Sequence, residues 1–167
     1  LEASYSFRFS FLQDRPDLEI LTGGKIDRVD LLNGVIRIVD YKTGSIADSL
    51  SSTGDLFADD RKKDYDGWLQ TLLYCESYLS ANPGVTLRPS IYKIKKMTSG
   101  VFSDKLQVKI DRKNEQVVDD YSLVREEFIY GLKELIATIF SDNEPFVMTT
   151  DARGKCSYCP YRALCMR

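Results

Sequence analysis

The most constraining feature of this chain is the dipeptide Asn33-Gly34, set in the middle of GGKIDRVDLLNGVIRIVDYKTG, Gly23–Gly44. Asn-Gly between apolar runs that alternate with polar residues predicts a β-hairpin, because both residues accept the positive φ of the tightest turns. A two-residue loop also sets the register. Leu32 then opposes Val35, Asp30 opposes Arg37 and Asp27 opposes Asp40. The Asp30–Arg37 pair is favourable, whereas two aspartates directly opposite each other destabilise a ladder. Lys42 lies two residues beyond Asp40, so strand alternation puts it on the face of both carboxylates.

The opposed acids need something positive between them, since Ile26, Val29, Ile36, Ile38 and Val39 make the rest of the hairpin apolar. A hard divalent cation with oxygen ligands answers that need, and Mg²⁺ is typically held by one or two carboxylates together with substrate phosphate. A lysine beside such an ion can stabilise developing charge or orient a water. The same residues also suit an exposed hairpin whose acids point to solvent beside Lys25 and Lys42.

At 167 residues, with 43% hydrophobic and 29% charged positions, the sequence predicts one soluble domain with a sizeable core. A net charge of −2 argues against an all-over basic nucleic-acid binder but leaves room for a local basic groove. The chain has no histidine, which removes histidine-based nucleophile triads, histidine-ligated zinc and histidine acid–base chemistry. No apolar run reaches the length of a membrane span and no signal peptide is evident, so a cytoplasmic protein without a membrane partner is expected. Opening on Leu1, the sequence reads as a piece of a longer protein.

Three antiparallel strands, 5–13, 18–31 and 35–43, are expected to open the chain as a meander. Ser45–Asp64 is polar and without periodicity, which suits a functional loop over a substrate or an ordinary surface insertion. Tyr65–Ala81 predicts a helix with Trp68, Leu69, Leu72, Leu73 and Leu79 as its apolar stripe. Gln70 and Tyr74, four apart, share one of its faces. Leu87–Ile94 reads as a strand, with Pro89 favouring an edge or strand start, and Lys105–Ile110 as its hairpin partner. Tyr92, Lys93, Lys95 and Lys96 form a basic and aromatic cluster that suits either a phosphate backbone or a solvated strand end. Val118–Phe140 predicts a second long helix packed on the sheet, capped by Asp119 or Asp120, with Tyr121, Val124, Phe128, Leu132, Leu135 and Ile139 inward.

Near the end, Cys156, Cys159 and Cys165 stand in C-x₂-C-x₅-C, in a chain with one other cysteine. Disulfides do not explain three close thiols without a secretory signal, whereas metal ligation does. Structural zinc and a cubane iron–sulfur cluster each take four ligands, so without histidine the set is one short. Cys75, mid-helix, reads as a buried structural thiol. A small zinc-ribbon interaction domain would account for the cysteines and leave the hairpin unexplained.

The motifs G-x-I-D-R-V-D and I-V-D-Y-K-T-G, followed by Gln70-Thr71-Leu72-Leu73-Tyr74 and the terminal cysteines, resemble the PD-(D/E)XK nuclease superfamily in its RecB-like branch, including AddB-type and CRISPR-associated nucleases. The resemblance implies an α/β, restriction-endonuclease-like core: a mixed central sheet containing an antiparallel meander, flanked by helices. It implies a Mg²⁺- or Mn²⁺-dependent DNA nuclease, exonuclease-like, acting in double-strand-break repair beside a helicase partner. It assigns the metal to Asp27, Asp40 and the Tyr41 carbonyl, catalysis to Asp27, Asp40 and Lys42, and substrate contact to Gln70 and Tyr74. In the iron–sulfur subset, Cys156, Cys159 and Cys165 would hold a [4Fe–4S] cluster if a fourth cysteine lies outside this sequence. The family's additional upstream acid has no clear counterpart; Glu2 is the nearest. A descendant that binds or scaffolds DNA without cutting is the alternative, against which the intact Asp27, Asp40 and Lys42 speak.

Overall fold

The computed structural model describes residues 3–9, 19–58, 64–97, 102–110, 113–145, 147 and 155–166. The chain forms two compact units, Leu1–Leu135 and Ile136–Arg167. In chain order the strands and helices of the first unit are β1 (Ala3–Phe9), β2 (Ile20–Ile26), β3 (Arg28–Leu32), β4 (Val35–Lys42), β5 (Ser49–Leu50), α1 (Asp66–Ala81), β6 (Leu87–Lys93), α2 (Ile94–Met97), β7 (Gln107–Lys109), β8 (Glu115–Val117) and α3 (Ser122–Ile139), whose last turn enters the second unit. The architecture is mixed α/β, with small mixed sheets flanked by helices, as a restriction-endonuclease-like core requires. No helix among the described residues is long and apolar enough to cross a membrane.

The hairpin forms in the expected register, with Asp30 opposite Arg37 and Leu32 opposite Val35. Its turn places Asn33 at φ 53° and Gly34 at φ 81°, the double positive φ of a type I′ turn. The expected continuous strand 18–31 is instead broken at Asp27. β2 pairs with β1 in a two-stranded sheet, while β3 pairs with β4 in a three-stranded one. The ladder's last recorded pair is Arg28 with Val39, so the two like charges beyond it are spared direct opposition. Residues 10–17, which include the end of the expected first strand and its turn, lie outside the described residues.

β6 lies parallel to β4 on the other side, with Asp40 beside Ile91 and Lys42 beside Lys93. Parallel pairing demands a crossover, and α1 supplies it. Trp68 and Leu72 are buried as the apolar stripe predicts, yet Thr71, Tyr74, Cys75, Glu76 and Ser77 are buried as well. α1 is therefore enclosed on more than its apolar stripe, and Asn82 ends it by donating its amide to Tyr78 O at 2.9 Å. Lys105 bridges to Ser90 of β6, but Gln107–Lys109 leaves that strand to pair with β5 and β8. The expected two-strand hairpin is thus a branch point between two sheets.

Two further expectations change. Ser45–Asp64 is not a bare loop: Ile46, Leu50, Thr53 and Leu56 are buried within it, and its residues 59–63 lie outside the described set. α3 begins at Ser122 rather than Val118, and the Val118 and Tyr121 amides that precede it donate to Leu106 O and Leu87 O. Of the two expected caps, Asp120 accepts the Ser122 amide at 2.9 Å. Ile136 takes the buried place expected for Ile139, which is exposed. α3 reaches α1 through Glu76, which accepts hydrogen bonds from Tyr121 Oη at 3.1 Å and from Arg125 at 2.8 and 2.7 Å.

Candidate active site

Alternation along β4 sends Asp40 and Lys42 to one face of the central sheet and Arg37, Val39 and Tyr41 to the other. α1 lies against the first face, and a helix turn of four residues aligns Gln70 with Tyr74 beneath it. A continuous polar chain results. Lys42 Nζ donates to Gln70 Oε1 at 2.6 Å, and Gln70 Nε2 donates to Tyr74 Oη at 2.6 Å. The amide orientation is chemically determined, since an ammonium can only donate and must face the carbonyl oxygen. The Tyr74 ring packs over Gly24 of β2: a Cβ there would lie 2.9 Å from Tyr74 Cε1, so a side chain would displace the ring.

Asp40 is 1% exposed. Its Oδ2 is ion-paired with Lys42 Nζ at 2.9 Å. Burial pushes the Asp40 carboxyl above the ordinary aspartate value; Lys42 pulls the other way, and the negative charge of Asp27 adds to the rise. Asp27 itself is exposed at the strand break, where its Oδ2 accepts the Tyr41 amide at 3.0 Å. The structure thus brings Asp27, Asp40, Lys42, Gln70 and Tyr74 to one end of the sheet. Tyr41 is tied in through its amide, while its side chain lies on the far face.

A buried carboxylate countered by a single ammonium, with a second carboxylate near enough to act on it, is a donor set suited to a hard divalent cation. Asp27 and Asp40 therefore fit Mg²⁺ or Mn²⁺. Among the described residues no three His, Cys, Asp or Glu side chains are gathered to hold a metal, so the acids offer a pair and the cysteines no ligand cluster. Cys156 is buried, Cys159 half-buried and Cys165 exposed, all as free thiols. Cys75 is buried, as its mid-helix position predicts, and burial pushes its thiol well up. Glu2 lies outside the described residues.

The basic cluster is resolved in favour of a structural role for two of its members. Lys93 is buried against the Trp68 ring and paired with Asp48, and Lys96 reaches the same carboxylate at 2.8 Å. Together they hold the segment after β4 onto the end of β6. Sequence reasoning passed over Arg28, Gly24 and Glu76. Arg28 had a legible signal, its diagonal position across the ladder from Tyr41. Glu76 had one too, as the only acid in the apolar middle of α1.

A buried acid, a second acid at a strand break and a lysine on the same strand as the first, backed by a helix, make up the candidate site. The profile of the PD-(D/E)XK nuclease superfamily matches residues 2–166, and the chain belongs to that superfamily. Its members are nucleases, generally metal-dependent. Neither a curated protein nor a solved structure matches the chain.

Proposed function

We propose that this chain is a Mg²⁺- or Mn²⁺-dependent deoxyribonuclease domain of the RecB-like type. The observation that carries the reading is the buried Asp40 carboxylate, paired with Lys42 at 2.9 Å and close enough to Asp27 to feel its charge. Asp27, Asp40 and the Tyr41 carbonyl would hold the ion. Bound there, a divalent cation supplies a lowered water pKa and neutralisation of charge on the scissile phosphate. Lys42, held by Gln70, orients the attacking water and offers its positive charge to the phosphorane-like transition state. Gln70 and Tyr74 keep that ammonium aimed and face the strand being cut. Asp40, sequestered from water, keeps the ion-binding end of the site in a low dielectric, where each of these charges acts more strongly.

The family resemblance extends the proposal to exonuclease-like action in double-strand-break repair beside a helicase partner or domain, in the cytoplasm. It also extends to one nuclease domain over residues 1–167 and to a [4Fe–4S] cluster on Cys156, Cys159 and Cys165 if a fourth thiol comes from elsewhere in the parent protein. Cleavage of linear DNA by the full-length parent protein, with Mg²⁺ or Mn²⁺, tests the central claim. Metal-dependent cleavage lost in Asp40→Ala supports it. No cleavage by the wild type with either ion leaves a DNA-binding or scaffolding module in its place.

A further inference from the structure

The hairpin presents a mechanical problem that its sequence hides. Cation binding requires Asp27 and Asp40 to be held at a fixed separation, yet the recorded β3–β4 pairing ends at Arg28 and Val39, one residue short of both. In a ladder that starts from a two-residue turn, bonded pairs recur at every second residue. That pattern makes Leu32–Val35, Asp30–Arg37 and Arg28–Val39 the bonded pairs and Tyr41 the next amide facing the partner strand. The Tyr41 amide finds the Asp27 carboxylate there, at 3.0 Å, in place of a main-chain acceptor. A side chain has taken over a ladder position, and side chains are freer than backbone.

On the opposite face of the sheet a second link crosses the same gap. Arg28 NH1 donates to Tyr41 Oη at 3.3 Å, and Arg28 NH2 lies 2.6 Å from Asp30 Oδ2. Asp30 is itself gripped by Arg37 through two bonds of 2.7 Å. The Tyr41 ring is held edge-on against Tyr92 of β6, with centroids 5.6 Å apart. Arg28 follows Asp27 directly and Tyr41 follows Asp40 directly. A tie between these two side chains therefore fixes, from behind, the distance between the two carboxylates in front.

We infer that the Arg28 and Tyr41 side chains form a positioning strut for the cation site: neither side chain touches the ion, and the bond between them sets the spacing of Asp27 and Asp40. The inference rests on the proposed role of those two acids. Outer groups that orient metal-binding carboxylates typically contribute 10–100-fold in affinity, so loss of the strut is expected to weaken binding by about 10-fold.

Mn²⁺ affinity, measured by calorimetry on the intact protein without DNA, reads the strut directly. Arg28→Ala and Tyr41→Phe are each expected to raise the Mn²⁺ Kd by about 10-fold. The double variant is expected to be no worse than either single one, because both substitutions remove the same bond. Arg28→Lys, which keeps the charge near Asp30 but lacks the guanidinium fork, is expected to restore little. Melting temperatures taken alongside separate this role from simple support of the fold, which would lower Tm and leave Kd unmoved. An unchanged Kd in Tyr41→Phe, or effects that add in the double variant, overturns the strut, and Tyr41→Phe serves even if Arg28→Ala fails to fold. Asp40→Ala distinguishes the two levels: if it binds Mn²⁺ like wild type, the acid pair is not the cation site. If it does not bind while Tyr41→Phe binds normally, only the strut is wrong.

Discussion

Asp30 and Asp40 stand on opposite faces of the same hairpin, and the protein treats them in opposite ways. Asp30 is clasped by Arg37 at 2.7 Å and touched by Arg28 at 2.6 Å, and the hydrogen bonds from Arg37 hold its carboxyl below the ordinary value. Asp40 is more deeply buried, is paired with the single ammonium of Lys42 at 2.9 Å and is pushed above that value by burial. In the first acid the ion pairs outweigh burial. In the second, burial outweighs the ion pair. Perturbed groups of the second kind mark functional sites more often than ion pairs of the first kind do, and this contrast locates the candidate site better than any pocket. A cavity lined by Ser122, Arg125, Ile129 and Tyr130 on α3 involves none of the site residues.

The contrast breaks most sharply at Asp40→Ala. If the buried Asp40 carboxylate serves a cation, its removal takes away several kcal/mol of transition-state stabilisation, or about 10³-fold in metal-dependent cleavage. Steady-state cleavage of linear DNA at saturating Mn²⁺ reads this, and activity within a few-fold of wild type would erase the distinction between the two acids.

Asp30→Asn probes the satisfied face. It leaves Arg37, a buried guanidinium, without its bidentate partner, and is expected to cost about 3 kcal/mol of stability by urea denaturation. Its pH dependence has a defined sign. A folded-state pKa below the ordinary 3.8 means the unfolded chain binds more protons in that interval. The stabilisation is therefore complete above about pH 4 and is lost as pH falls through the lowered folded value. Wild type should show this acid limb and Asp30→Asn should lack it.

Gln70→Ala has a smaller expected effect. It removes the acceptor that fixes Lys42 Nζ at 2.6 Å without removing the charge, so kcat is expected to fall by about 10-fold, with Mn²⁺ affinity little changed. A loss in affinity as large as the loss in kcat would move Gln70 from aiming the lysine to shaping the cation site.

How much of this could be read from sequence follows from how local each cause is. Asn33-Gly34 encodes its own turn, and the turn fixes Asp30 opposite Arg37 by counting. Gln70 and Tyr74 meet because helix geometry brings i and i+4 together. The break at Asp27 was not legible, because it depends on a side chain capturing the Tyr41 amide across the strand gap. The anchoring of the segment before α3 was hidden for the same kind of reason: the Val118 and Tyr121 amides bond to carbonyls on Leu106 and Leu87, distant in sequence. In Ser45–Asp64 the buried Ile46, Leu50 and Leu56 follow no period, since that segment is held by Trp68 Nε1, which donates to Ala47 O at 2.8 Å, and by Lys93 on Asp48. The cysteine motif is legible as spacing, but Cys156 and Cys165 differ in exposure, and spacing alone does not gather ligands.

The finest test of the comparison is Asp40→Asn in the absence of divalent cations. Because the folded pKa of Asp40 lies above its unfolded value, the native state binds more protons between the two. Stability therefore falls as pH rises through that interval. Asparagine has nearly the same shape and carries no charge to desolvate. The substitution is expected to raise Tm by a few degrees at neutral pH and to change it less in acid, where the wild-type carboxyl is already protonated. Such gains are the usual result when a strained functional group is neutralised, and loss of activity accompanies them. Added Mn²⁺ should reverse the order, stabilising wild type by mass action and leaving the variant unmoved. A variant less stable than wild type without metal would mean that the Lys42 pairing outweighs burial, and that Asp40, like Asp30, is satisfied by the fold.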